Sequence, residues 1–174
     1  YLKRFFMYID LTKLVEGIKE FDETIQVDLD EESARLIEPC RISGELKKGI
    51  VQVDVKGNIN AKIEMECSRC LIPIISTLEF PFKVSYITEE HYTSEKESEL
   101  HGEDLDVSLY DGEKIDLSEL AREQILLNLP TQTFCTENCH GLCPKCGANL
   151  NENTCSCETK EIDPRWAKLQ KLID

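Results

Sequence analysis

At 174 residues the chain can bury one core and a small appendage, and its length fits one or two domains. It carries 34 acidic against 20 basic residues, a formal net charge of −14. That balance argues against general nucleic-acid binding, because neutralising phosphates takes a patch of Lys and Arg, and it suits a basic protein partner steered in by complementary fields. The chain starts Tyr1-Leu-Lys-Arg-Phe-Phe-Met-Tyr-Ile-Asp10. Its apolar run is too short for a signal-peptide core, and no later run is long enough to span a bilayer. The expected compartment is therefore the cytosol, where reduced thiols favour metal binding over disulfides. Residues 1–6 read as an extension upstream of a natural start at Met7.

Residues 8–14 and 24–29 alternate apolar and polar side chains, the period of a half-buried strand. Between them Leu14, Val15, Ile18 and Phe21 fit a short helix or an irregular turn equally well. Ile42-Ser-Gly-Glu-Leu46 runs into Lys47-Lys48-Gly49, a hairpin signal. From Val51 to Cys67 every odd position is apolar or glycine and every even one is polar. This is either one long strand bent at Gly57 or two strands with a bulge there, one face buried and one wet. The return leg keeps its apolar residues on even positions, Ile72, Ile74, Leu78, Phe80, Phe82, Val84 and Tyr86. Pro73 and Pro81 place that leg at a sheet edge. Cys67-Ser-Arg-Cys70 then sits at a hairpin tip. A thioredoxin-type Cys-x-x-Cys opens a helix, and nothing helical follows here. The pair reads as metal-binding, redox-active or merely packed, and the other cysteines of the chain favour metal.

Residues 89–104 have no period and almost no apolar content, which predicts a mobile loop. Residues 89–116 hold eleven carboxylates against Lys96 and Lys114, and so supply −9 of the net charge. Glu95, Glu97, Glu99, Glu103 and Asp104 are the candidate partner-binding residues; the competing reading is a solvated loop that serves solubility. A short strand follows at 105–110, with a turn at Asp111-Gly112. The best helix runs over 117–128. Asp116 is its N-cap, with Glu119 completing a capping box, and Pro130 lies past the end. Leu117, Leu120, Ala121, Ile125, Leu126 and Leu127 give it a broad apolar stripe for packing across the sheet. Asp163-Pro164 opens a last short helix with Trp166, Leu169 and Leu172 or Ile173 on one side, a helix expected to dock on the core.

Six of the nine cysteines fall within residues 135–157, as the close pairs Cys135/Cys139, Cys143/Cys146 and Cys155/Cys157. Two thiolates one short turn apart chelate an ion at little loop-closure cost. Cys143-Pro-Lys-Cys146-Gly147 reads as a zinc knuckle, with Gly147 free to take positive φ. Such a polar segment cannot be an apolar core of small residues, and a disulfide cluster does not fit the expected compartment. Cys143, Cys146, Cys155 and Cys157 would close one zinc site. If the hairpin tip reaches the tail, Cys67, Cys70, Cys135 and Cys139 would close a second; the alternative is a single site drawn from the tail's six. Cys40 is left as the structural cysteine. His91, His101 and His140 sit in a polar loop or beside a cysteine, with no nucleophile–base pairing, so no catalytic residue is assigned.

Taken together, Glu66-Cys-Ser-Arg-Cys-Leu71, Ile115-Asp-Leu117 leading to Leu126-Leu-Asn-Leu-Pro130, Cys139-His-Gly-Leu-Cys-Pro-Lys-Cys-Gly147, Asn149-Leu-Asn151, Cys155-Ser-Cys157 and Asp163-Pro-Arg165 resemble the YceD family. The likeness runs from about Met7 to the C-terminus. It implies a bacterial factor for accumulation of 23S ribosomal RNA and hence for large-subunit assembly, whose gene commonly neighbours that of ribosomal protein L32. It carries over no catalytic residues. The expected fold is α+β: a curved, mainly antiparallel sheet with one covering helix and a zinc-stapled C-terminal lobe. The expected domains are a β-rich body at 7–130 and a cysteine-rich lobe at 131–174. An acidic chain acting on RNA is expected to work indirectly, by holding a basic ribosomal protein such as L32 or an assembly intermediate. The competing readings are direct RNA contact through Arg69 and Lys145, and a thiol-redox protein using Cys67/Cys70.

Overall fold

The alternation that begins at residue 51 becomes one uninterrupted strand in the computed structural model, which describes residues 7–12, 14, 17–29, 34–88 and 107–157. The elements are strands β1 (Tyr8–Asp10), β2 (Gly17–Ile25), β3 (Ala34–Leu36), β4 (Cys40–Lys48), β5 (Gln52–Glu66), β6 (Pro73–Thr88), β7 (Val107–Tyr110) and β8 (Lys114–Asp116), followed by helix α1 (Leu117–Leu127). The acidic loop with Glu95, Glu97, Glu99, Glu103 and Asp104, His91 and His101, and the expected helix from Asp163 lie outside the described residues.

A six-stranded sheet has the order β2-β4-β5-β6-β7, with β3 paired to β5, and a separate two-stranded sheet joins β1 to β8. Pairing is antiparallel for β1–β8, β2–β4, β3–β5 and β4–β5, and parallel for β6–β7. Among the described residues the chain is thus mostly sheet with one helix. It divides into two compact units, one comprising Tyr1–Met65 with Ile74–Thr131, the other Glu66–Pro73 with Gln132–Asp174. The tip of the β5–β6 connection therefore clusters with the cysteine tail rather than with the strands that carry it.

Parity fixes the core of the first unit. On β5 the odd residues Val53, Val55, Ile59, Ala61, Ile63 and Met65 are buried, joined by Ile42 and Leu46 of β4 and by Phe82, Val84 and Tyr86 of β6. No polar or charged residue is buried among the described ones. The β4–β5 register runs from Arg41↔Asn60 to Lys48↔Val53 without a slip, so Gly57 marks no bulge. Gly57 instead faces Gly44, where a Cβ on either would lie 2.1 Å from a partner-strand carbonyl oxygen. The backbones approach too closely there for any side chain.

Several local expectations change. The strand expected at 8–14 stops at Asp10, whose side chain accepts the Thr12 N–H at 2.9 Å and turns the chain. The segment left open between helix and turn is β2, which ends at Ile25 instead of running over 24–29. Ile18 points outward and is 63% exposed, so it broke the period; nine residues of pairing with β4 decide the structure. β6 pairs with β7 only over Ser85–Thr88, so Pro73 and Pro81 stand where β7 does not reach and no ladder N–H is lost to it.

α1 begins as the capping signal requires. Asp116 is extended and its carboxylate accepts from the N–H groups of Ser118 (2.8 Å) and Glu119 (3.3 Å). Glu119 does not complete a reciprocal box: its carboxylate takes Arg122 at 3.4 Å. The buried stripe is Leu117, Leu120, Ala121 and Ile125, packed against β1 and β4. Leu127, expected in that stripe, is 77% exposed.

Candidate metal centres

β5 delivers the chain to residues 67–72, and the turn there is tight. The Leu71 N–H donates to the Cys67 carbonyl at 2.9 Å, and the Cys67 N–H to the Ile72 carbonyl at 2.9 Å. Leu71 has φ 60°, the left-handed conformation that side chains disfavour. The knuckle at 143–147 repeats this turn. Gly147 donates its N–H to the Cys143 carbonyl at 2.8 Å with φ 72°. In both, the residue after the second cysteine turns left-handed, which frees backbone N–H groups to face the sulfurs.

Residues 133–135 are laid along the first tip by hydrogen bonds that the sequence did not advertise. Ser68 N–H donates to the Thr133 carbonyl (2.8 Å), Thr133 N–H to Ser68 Oγ (3.0 Å), and Thr133 Oγ1 to the Glu66 carbonyl (2.6 Å). This places the Cys135 N–H 3.4 Å from Cys67 Sγ. Arg69 fixes the other side: Nη1 donates to the Cys139 carbonyl at 2.8 Å, and the guanidinium lies 4.5 Å from the Phe134 ring centroid. Arg69, a candidate RNA contact, thus has two partners within its own unit. Lys145 lies in the exposed turn of the knuckle.

The outcome is two quartets of sulfurs, Cys67, Cys70, Cys135 and Cys139, and Cys143, Cys146, Cys155 and Cys157, the members of each within 4.8 Å of one another. Either set could hold a metal ion. In the first, Cys67 and Cys139 are 3.8 Å apart and Cys70 and Cys135 3.6 Å. Four thiolates about 2.3 Å from a tetrahedrally bound ion are separated by about 3.8 Å, whereas a disulfide needs about 2.05 Å. The donors and spacing therefore fit a tetrahedral ion. Cys67 and Cys70 belong to a quartet rather than forming an isolated dithiol at a helix start. Cys40 stands apart, fully buried on β4, with Sγ donating to the Ile25 carbonyl at 3.3 Å; burial pushes its thiol up to about 11.

Electrostatics within the quartets favours negative charge at defined sulfurs. Burial raises the Cys67 thiol, but backbone N–H groups of Arg69, Cys70 and Cys135 outweigh it and bring it to about 6. At Cys143 the N–H groups of Cys146 and Lys145, helped by the Cys155 thiol, bring it to about 6 against burial. Their neighbours keep the protons. The Ile72 N–H lowers Cys70, yet burial and the surrounding sulfurs push it up to about 12. Cys157 rises to about 12 through its bond to Cys146, burial and the charge nearby. Asn151 also bears on the first quartet, its Nδ2 lying 3.4 Å from Cys139 Sγ. Sequence reasoning gave it no role.

The family model described as large ribosomal RNA subunit accumulation protein YceD matches residues 55–173. Protein YlbN of Bacillus subtilis (strain 168) is 30% identical over 159 residues, 88% of this chain and 87% of that protein. An uncharacterized protein of Mycobacterium tuberculosis (strain ATCC 25618 / H37Rv) is 31% identical over 119 residues, 68% of this chain and 55% of that protein, so the chain spans about half its length. The large ribosomal RNA subunit accumulation protein YCED homolog 1, chloroplastic, of Arabidopsis thaliana is 37% identical over 59 residues, 34% of this chain and 18% of that protein. No solved structure matches.

Proposed function

Because the chain belongs to the YceD family of large ribosomal RNA subunit accumulation proteins, we propose that it is a non-catalytic factor that promotes large-subunit RNA accumulation indirectly. It does so by holding a basic ribosomal protein, with L32 the first candidate, or an assembly intermediate, in the cytoplasm. The observation that carries this reading is charge. The net charge is −14, and residues 89–116 alone contribute −9. Such a charge balance repels phosphates and attracts a lysine- and arginine-rich protein. Each cysteine quartet takes Zn²⁺ in this reading, since soft thiolates in a tetrahedral set select zinc. Four thiolates leave no open coordination position, so the bound ion supplies folding free energy and rigid shape. Cys67, Cys70, Cys135 and Cys139 then staple the hairpin tip to the tail, and the other quartet closes the knuckle.

The test is binding to purified ribosomal protein L32 and, separately, to 23S ribosomal RNA fragments, each at several salt concentrations. A chain with Glu95, Glu97, Glu99 and Glu103 changed to Gln and Asp104 to Asn should associate with L32 more slowly and with a flatter salt dependence. Its metal content and melting should stay near the native values. Tight RNA binding with a steep salt slope, indifferent to those five changes, would defeat the indirect mechanism and favour contact through Arg69 and Lys145.

A further inference from the structure

Residues 139–143 join the two quartets, since Cys139 belongs to the first and Cys143 to the second. The segment is held from both sides. Toward the first tip, the Leu142 N–H donates to the Arg69 carbonyl at 3.1 Å, and a Cβ on Gly141 would lie 3.0 Å from that same oxygen. Toward the knuckle, Leu142 bridges Asn149, the Leu150 N–H donates to the Gly141 carbonyl (2.9 Å) and the Cys143 N–H to the Ala148 carbonyl (2.8 Å). Asn151 closes the arrangement with its side chain. Oδ1 accepts the His140 N–H at 2.8 Å, while Nδ2 donates to Cys139 Sγ at 3.4 Å. Asn149 Oδ1 steadies it, accepting from the Asn151 N–H (3.1 Å) and Nδ2 (2.9 Å).

We propose that Asn151 is a positioning residue that orients Cys139 for the metal of the first centre and couples that centre to the filling of the second. An N–H donated to a ligand sulfur draws off part of its charge and fixes its direction. Outer contacts of this kind are typically worth 10–100-fold in metal affinity. The 149–151 turn that carries Asn151 is anchored on the knuckle, so closing the second quartet sets the donor that the first one uses. By linkage, a metal in the first centre strengthens binding at the second by the same factor. The inference rests on the reading that both quartets bind metal.

The experiment is a cobalt(II) titration of the full metal-free chain under reducing conditions, followed by thiolate-to-cobalt charge-transfer absorption, with zinc competition to set affinities. The native chain should take two equivalents. Asn151→Asp keeps an oxygen to accept from His140 but sets an oxygen where the donor faced Cys139. It should bind metal at the first centre about 10–100-fold more weakly, with an altered charge-transfer band, and the two centres should no longer strengthen one another. A native chain that takes fewer than two equivalents removes the reading beneath the proposal, and the proposal with it. Native affinities and spectrum in N151D leave that reading standing and overturn the role of Asn151. Should N151D bind no metal at all, a chain with Cys155→Ser and Cys157→Ser decides. A first centre unchanged in affinity then overturns the coupling, and one weakened tenfold or more supports it.

Discussion

Leu71 and Gly147 occupy the same place in two copies of one turn, and the comparison isolates a single energy. A left-handed backbone costs a residue with a Cβ about 1–2 kcal/mol, which Gly147 avoids and Leu71 bears. Nothing lies within 4 Å of a Cβ built on Gly147, so Gly147→Ala changes conformation without adding a clash. It should lower the urea unfolding free energy of the metal-loaded chain by about 1 kcal/mol. Leu71→Gly should raise it by up to about 1 kcal/mol, the relief being partly offset by the extra freedom of glycine in the unfolded chain. A loss of more than about 1 kcal/mol would instead mean that the half-exposed Leu71 side chain holds the tip. The cysteine pairs were legible in the sequence because chelation by near neighbours is local chemistry. Leu71 and Asn151 were not: a strained turn lacking glycine leaves no compositional mark, and Asn151 reaches Cys139 across 12 residues without any period.

Among the elements, α1 was the most legible, since its cap, stripe and stop all lie within the segment itself. The Asp116 carboxylate satisfies two N–H groups of the first turn, and the Met7 carbonyl takes that of Leu117 at 2.8 Å. Asp116→Ala should therefore cost about 1 kcal/mol, read as a lower melting temperature by far-ultraviolet circular dichroism, with the metal stoichiometry unchanged. An effect below about 0.3 kcal/mol would place the stability of this end in the Met7 contact. β2 was illegible for the opposite reason. Only Phe21 and Ile25 of its nine residues are buried, and its strand character comes from β4, an element 15 residues further along the chain. The β6–β7 pairing is likewise non-local, and no periodicity within residues 107–110 marks it as parallel.

At the scale of the whole molecule, the two units should differ in what holds them. The first has a continuous apolar core, whereas among the described residues 132–157 carry one isolated bridge, Leu142 with Asn149. Chelation should therefore strip hydrogen-exchange protection from residues 135–157 and leave that of β4 and β5. Equal loss in both would mean that the metals support the core as well. Acid should mimic chelation. The Cys67 and Cys143 thiols fall from an ordinary value near 9 to about 6 in the folded chain. Such a lowered group adds stability that is complete above pH 9 and disappears as pH falls through 6. Since every ligand must be deprotonated, bound metal should be retained at pH 7 and released as the pH is lowered, as followed by a zinc-sensitive dye. Cys70 and Cys157, pushed up to about 12, hold protons in the metal-free chain. Loading at pH 7 should therefore release protons, visible as a binding enthalpy that varies with the buffer. A buffer-independent enthalpy would contradict the thiol assignment.

The division of the first quartet between a strand connection and a distant tail also has a history in time. Cys70 leaves the ribosome 65 residues before Cys135, an interval of roughly 3–13 s at ordinary elongation rates. Through that interval Cys67 and Cys70 lack the two sulfurs that complete their quartet. The second quartet, spanning residues 143–157, has no such waiting period. Birth order thus makes completion of the first quartet a late step: every strand of the larger sheet is synthesised before its last two sulfurs, those of Cys135 and Cys139, become available.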